Sequence, residues 1–228
     1  MTRPQSRALV LHGGWGQHQP ELMADFAEHR LLEGFDVVRS TDLAALEAAT
    51  LAGFDLLVPI WTFGDLTADQ EGALVDSVAE GMGLVSWHGA TSAFRSSRRY
   101  RFLLGGEFVD HPGGPSVTYD VTFRGGGELV AGLDDLTVTS EQYHLLVDPA
   151  VEVLATTRME APGMKWLRGV EMPVAWARAW GSGRVFYCSL GHTPDDVGHP
   201  SVVTLLRRAV RWACRTPAVR DDGPGVTT

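Results

Sequence analysis

The chain has 228 residues, 44% hydrophobic and 21% charged, with a formal net charge of −9. That length suits one large domain with a substantial core, and the acidic surplus argues against nucleic acid as a partner. Two cysteines, Cys188 and Cys214, make neither a paired metal motif nor a disulfide framework, and no apolar run approaches the roughly 18 residues of a membrane span. The start, Met1 to Arg7, is short and polar, and the apolar run after it is too short for a signal sequence, so a cytoplasmic protein is expected. The arginines at 95, 98, 99 and 101 read as a helix-end or ion-pairing cluster rather than an anion site.

In chain order, Ala8 to His12 predicts a buried strand followed by a Gly13-Gly14 turn. Pro20 suits the first position of a helix, where its missing N–H would be unpaired anyway. Leu22, Met23, Phe26, Ala27 and Arg30 give that helix a mainly apolar face, and Gly34 stops it. Phe35 to Val38 and Asp55 to Ile60 predict the second and third strands. Thr67-Ala68-Asp69-Gln70 has the form of a capping box, and Leu74, Val75, Val78 and Met82 follow at helical spacing. Gly83 to His88 predicts the fourth strand. Near-continuous apolar strands alternating with helices imply a mostly parallel sheet covered on both faces.

Residues 105–165 differ: glycine-rich, with alternating stretches such as Tyr119 to Phe123, they predict an inserted region of antiparallel strands and loops on the same core. Val174 to Trp180 and Arg184 to Leu190 predict a hairpin turning at Gly181-Ser182-Gly183. Pro200 opens a last helix whose buried stripe is Val202, Val203, Leu206, Ala209, Val210 and Ala213. The expected fold is therefore a three-layer α/β domain over residues 1–215, with 216–228 as a flexible tail.

His12 ends the first strand, His88 ends the fourth, and His192 follows the last long one. Ligands of open parallel sheets bind outside the carboxyl ends of the strands, so these three are expected to share one crevice. Small residues beside them, Gly13 and Gly89 among them, allow a ligand to approach closely. Trp15, Trp61 and Trp87 lie at or just after strand ends, where flat rings can stack on a ligand. His111, in Gly105 to Pro112, and Glu141 and Tyr143, in Ser140 to His144, come from the middle region. His18, His29 and His199 are expected to be surface or capping residues. Neither a dinucleotide fingerprint nor a P-loop is present in the sequence.

The segments Gly83 to Thr91, Gly105 to Pro112, Glu141-Gln142-Tyr143 and Gly183 to Tyr187 leading to Gly191-His192 together resemble the trehalose-utilisation (ThuA-like) family, over roughly residues 8–213. The resemblance implies a flavodoxin-like fold related to class I glutamine amidotransferases. Those enzymes place a cysteine on the strand-to-helix turn, whereas this turn reads His88-Gly89-Ala90, so no glutaminase activity is expected. It also implies an enzyme acting on a sugar or keto-sugar derivative, with proton transfer next to a carbonyl or cleavage of a keto-glycoside. His88 and His192 would be general base and acid, Glu141 would orient a histidine or bind sugar hydroxyls, and Tyr143 would donate to an oxyanion. His12, Gly13, Trp15, Trp61, Trp87, Gly89 and His111 are the expected substrate contacts. No cofactor is expected to be required. The alternatives are a metal-dependent hydrolase or lyase with a divalent ion on His12, His88, His111 and His192, although their spacing carries no compact metal signature, and a non-catalytic sugar-binding or regulatory protein. The expected partner is a small carbohydrate, with no nucleic acid or membrane, and a homodimer is the default assembly.

Overall fold

The computed structural model describes residues 5–125 and 127–215, so the expected tail at 216–228 lies outside the described residues. The first half of the chain alternates β1 (Arg7–Gly14), α1 (Pro20–Phe26), β2 (Asp36–Ser40), α2 (Ala48–Leu51), β3 (Leu56–Thr62), α3 (Ala68–Ala79) and β4 (Gly83–Trp87). There follow α4 (Arg98–Leu104), β5 (Gly106–Asp110), β6 (Val117–Phe123), β7 (Leu136–Ser140), β8 (His144–Val147), β9 (Glu152–Arg158), β10 (Glu171–Trp180), β11 (Gly183–Cys188), α5 (Pro194–Val197) and α6 (Pro200–Ala213).

The main sheet has nine strands in the order β2-β1-β3-β4-β11-β10-β9-β6-β7. Its first five strands run parallel, and the pairs from β11 to β7 are antiparallel. The fold is thus α/β, a large mixed sheet with helices on both faces. Period-two alternation along buried strands builds two cores. Ala8 and Val10 of β1 face one core with Met23, Ala24 and the apolar stripe of α6, while Leu9 and Leu11 face the other with Leu74, Val75 and Val78 of α3.

The strands of residues 105–165 divide between two sheets. β6, β7 and β9 extend the main sheet, whereas β5 and β8 make a separate antiparallel ribbon. The Trp176 indole of β10 donates to the Leu104 carbonyl at 2.8 Å, tying the antiparallel half to α4. The β10–β11 turn sits hard against the end of α3: a Cβ on Gly183 would lie 2.0 Å from the Val78 carbonyl oxygen.

Local signals behave as their chemistry dictates. Thr67 and Gln70 form the reciprocal capping box of α3. In the arginine cluster, Arg99 pairs with Asp76 at 2.9 Å and Arg101 with Glu107 at 2.6 Å. Two expectations need correction. Leu22 is 53% exposed, because the buried face of the first helical segment runs through Met23, Ala27 and Leu31 at i, i+4 and i+8, the last two in a π turn. β4 stops at Trp87, and His88 opens a 3₁₀ turn instead of closing the strand. No helix among the described residues is long and apolar enough to cross a membrane.

Candidate functional site

Four stretches of chain meet beyond the carboxyl ends of the parallel strands. The loop after β1 carries His18, the turn after β4 carries His88, and the loop after β11 carries His192. The β7–β8 connection carries Glu141 and Tyr143.

His88 is the centre of the group. Its backbone has φ +45°, a left-handed conformation costly for a residue with a side chain. The Tyr187 hydroxyl holds that backbone by donating to the His88 carbonyl at 2.7 Å. The ring's Nδ1 lies 3.1 Å from the Ser189 carbonyl oxygen, an acceptor only, so Nδ1 carries a proton. Nε2 then faces three groups at once: the Tyr143 hydroxyl at 3.0 Å, Glu141 Oε2 at 3.3 Å and His192 Nδ1 at 3.4 Å. One nitrogen cannot both accept from Tyr143 and donate to Glu141, so Nε2 serves one of them at a time.

Glu141 is buried, and its ion-pair partners among the described residues are histidines: His88, His192 at 3.4 Å and His111 at 3.9 Å. Burial works against its charged form, but the contacts and charges of His192 and His88 together outweigh burial and hold its carboxyl well below the usual carboxylate range. The same bond to Glu141 raises the pKa of His192. His18 is pushed down to about 3 by burial and by its neighbours His88 and His192. Burial, with Tyr187 and Glu141 adding, pushes Tyr143 well above the ordinary phenol range, so it stays a protonated donor.

His18 corrects the expectation of a surface residue. It sits in the 3₁₀ turn Gly16–His18, and its Nδ1 lies 2.8 Å from Thr62 Oγ1 at the end of β3. Its ring centroid is 4.6 Å from that of His88 and 5.3 Å from that of His192. Gly89 makes room for this pairing, since a Cβ there would lie 2.0 Å from Thr62 Oγ1 and 2.9 Å from His18 Nδ1. No helical or strand period marks His18. The signal that identifies it is its position just after a carboxyl strand end, the one shared by His88 and His192. His18, His88, Glu141 and His192 each offer one donor atom, all within 4.8 Å of one another.

Of the residues expected at the site, His88, His192, Glu141 and Tyr143 come together, and His111 stands at their edge, stacked on Tyr143 with centroids 6.3 Å apart. His12 does not join them. It falls on the face of β1 shared with Ala8 and Val10, toward α1, and its Nδ1 lies 3.4 Å from Glu21 Oε2. Burial outweighs Glu21 and keeps the His12 pKa below its ordinary value. Gly13, Trp61 and Gly89 line a narrow cleft with His18 and His88. Trp87 lines it too, but at 3% exposure and packed under Gly191 it offers no open ring face to a ligand. Trp15 does: it is 37% exposed, packs edge-on to His18 at 4.7 Å and, with the exposed Phe63, forms an aromatic rim. His29 bonds the Asp25 carbonyl and His199 caps α6, both away from the cluster.

Cys188 is buried at the end of β11, and burial pushes its thiol up to about 12. An un-ionised sulfur in a closed core is no nucleophile.

Similar folds occur in solved structures. One described as a ThuA-like protein from Bacteroides uniformis ATCC 8492 is 18% identical, with 93% of each chain covered and a TM-score of 0.75. Another ThuA-like protein, from Parabacteroides merdae ATCC 43184, is 18% identical over 99% of this chain and 96% of that one, with a TM-score of 0.75. A protein of Salmonella typhimurium LT2 described as cytoplasmic, STM1381, is 14% identical over 92% of this chain and 100% of that one, with a TM-score of 0.60. At these identities the likeness is one of fold. No curated protein matches the chain. The family model for ThuA, trehalose utilisation, matches residues 7–213, and the chain belongs to that family.

Proposed function

We propose that this protein is a cytoplasmic enzyme of carbohydrate utilisation, acting on a sugar or keto-sugar derivative by proton transfer at the His88–His192–Glu141–Tyr143 cluster, without glutaminase activity. The observation that carries this reading is the convergence of these four groups beside the open aromatic rim of Trp15 and Phe63. A sugar ring needs a flat face to stack on and hydrogen-bonding groups to orient its hydroxyls, and the rim and the polar cluster offer both. The family's description, trehalose utilisation, points to the same substrate class. The parallel strand order β2-β1-β3-β4-β11 supports a flavodoxin-like layering of the kind seen in class I glutamine amidotransferases, with the crevice at the strand ends.

In this reading Glu141 orients His192 and raises its basicity, so His192 takes a proton from the carbon next to the substrate carbonyl. The Tyr143 hydroxyl, which donates to His88 Nε2 in this structure, turns its one hydrogen bond to the oxyanion that forms. Loss of a neighbouring glycosidic oxygen, or return of the proton on the adjacent carbon, completes an elimination or an isomerisation. The buried thiol of Cys188 supports the absence of glutamine hydrolysis.

The test is a panel of disaccharides and their 3-keto forms, incubated with purified protein with and without added divalent metal. Turnover lost in Glu141→Gln and Tyr143→Phe is expected. A panel left unchanged overturns the proposal, and sugar binding by calorimetry without turnover would assign a non-catalytic, sugar-binding role instead.

A further inference from the structure

We infer that His18, His88, His192 and Glu141 together bind one divalent transition-metal ion, through three imidazole nitrogens and one carboxylate oxygen. The inference deepens the reading above and rests on the same cluster being a reaction centre, but it changes the work of two residues: His192 becomes a ligand rather than the proton acceptor, and His88 a ligand rather than the partner of the Tyr143 hydroxyl.

The geometry points to it in three ways. First, the spacing fits. His88 Nε2 to Glu141 Oε2 is 3.3 Å, and His192 Nδ1 lies 3.4 Å from both Glu141 Oε1 and His88 Nε2. Four ligands at metal bonds of about 2.0–2.1 Å in a tetrahedron stand about 3.3–3.4 Å apart. All four donor atoms already lie within 4.8 Å of one another, so side-chain adjustment without backbone rearrangement closes the set.

Second, the outer contacts are those that ligating histidines use. A metal-bound imidazole is held through its other nitrogen by a carbonyl or similar group, which fixes the tautomer and aims the free lone pair. His88 Nδ1 is held this way by the Ser189 carbonyl, which leaves Nε2 facing the cluster. His18 Nδ1 is engaged by Thr62 Oγ1.

Third, the electrostatic balance calls for a cation. Nε2 of His88 cannot donate to Glu141 while it accepts from Tyr143, and no Lys or Arg among the described residues pairs with Glu141. A shared proton could bridge His88 and Glu141, but it gives no reason for a third imidazole, His18, turned edge-on to both other rings. A metal ion uses all four donors. Three nitrogens and one oxygen suit zinc, manganese, iron, cobalt or nickel rather than calcium or magnesium, which prefer oxygen ligands.

With the ion in place, it polarises the substrate's carbonyl or hydroxyl oxygen, and proton transfer falls to Tyr143 and His111, the two groups bordering the ligands. The four ligands come from four separate stretches of chain, which is why the sequence carries no compact metal signature.

The full chain, freed of any affinity tag, is stripped with chelator and then titrated with Zn²⁺ and, separately, Co²⁺. About one equivalent bound after desalting is expected, with a rise in Tm that grows with free metal and a visible Co²⁺ spectrum. His88→Gln/His192→Gln should lose the bound metal and the spectrum, whereas His29→Gln/His199→Gln, altering histidines outside the cluster, should keep both. Retention of less than about a tenth of an equivalent by wild type, with no shift in Tm on adding Zn²⁺, Co²⁺, Mn²⁺, Fe²⁺ or Ni²⁺, would overturn the inference. So would equal binding by wild type and the His88/His192 double variant, provided circular dichroism shows that variant folded. If it does not fold, His18→Gln takes its place and is expected to weaken binding by about 10-fold or more. Metal bound without turnover of any sugar would sink the enzymatic reading and leave this one standing. Turnover by fully stripped protein, unchanged on adding metal, would do the reverse.

Discussion

The two halves of the main sheet serve the site in different ways. In the parallel half every histidine of the cluster leaves the carboxyl end of a strand: His18 after β1, His88 after β4, His192 after β11. Topology alone brings such positions to one edge. In the antiparallel half no such rule operates. Glu141 and Tyr143 sit on the connection from the last strand of the large sheet to the small ribbon, so their placement depends on how those two sheets are held against each other. The parallel half supplies an address for chemistry, and the antiparallel half supplies the carboxylate that makes the histidines a set.

That comparison can be broken first at the junction. Trp176 is fully buried on β10, packs on Tyr187 with centroids 4.5 Å apart, and bonds α4 through Leu104. Trp176→Ala should cost about 3–5 kcal/mol in urea unfolding. A single cooperative loss would show the halves folding as one, while two separated transitions would show that they are independent.

A smaller effect is expected within the parallel half. Tyr187→Phe removes the shorter of two hydrogen bonds to the His88 carbonyl, leaving the one from the Thr91 hydroxyl at 3.2 Å, at about 0.5–1.5 kcal/mol. Because that bond sustains a left-handed backbone, the variant should also weaken whatever the cluster binds. Unchanged stability would mean that the His88 turn holds itself.

Within the antiparallel half, Asp148 accepts from the Ala150 amide and pairs with Arg178 at 2.9 Å, and these hold its carboxyl below its ordinary value. The unfolded chain therefore takes up this proton at a higher pH than the folded one. The stability contributed is complete above the ordinary aspartate range and is lost as pH falls through the folded value. Asp148→Asn should flatten that part of the pH–stability curve by about 1 kcal/mol or less, the pair being partly solvated. An unchanged slope would remove Asp148 from the account.

The smallest expected effect is none. Cys188, closed in the core where the two halves meet, should not react with an aromatic disulfide reagent in the native protein and should react fully on unfolding. Rapid native reaction assigned to Cys188 by mass spectrometry would show that the junction opens.

The same contrast governs what the sequence made legible. The parallel strands, the capping box of α3 and the stripe of α6 follow from period and local chemistry, and so did His88 and His192 as strand-end residues. His12 was misjudged because being at a strand end does not say which face a side chain takes; its odd–even partners Ala8 and Val10 do. Trp87 lines the cleft but is nearly closed off, and residue type says nothing of what covers a ring. His18 was missed because a short polar loop has no period to read. In the middle region alternation announced strands such as β6, but period two is silent about partners, so the division between main sheet and ribbon was not legible.

Gly89 gives the site a weakness at a residue with no donor of its own. Even one methyl group at that position would occupy the place where Thr62 meets His18. The imidazole of His18 could then be uncoupled while all four donor residues remained in the chain. A related sequence that keeps His, His, His and Glu at these places but carries a side chain after the second histidine would therefore hold the full inventory of the site without its assembly, and should be read as lacking it.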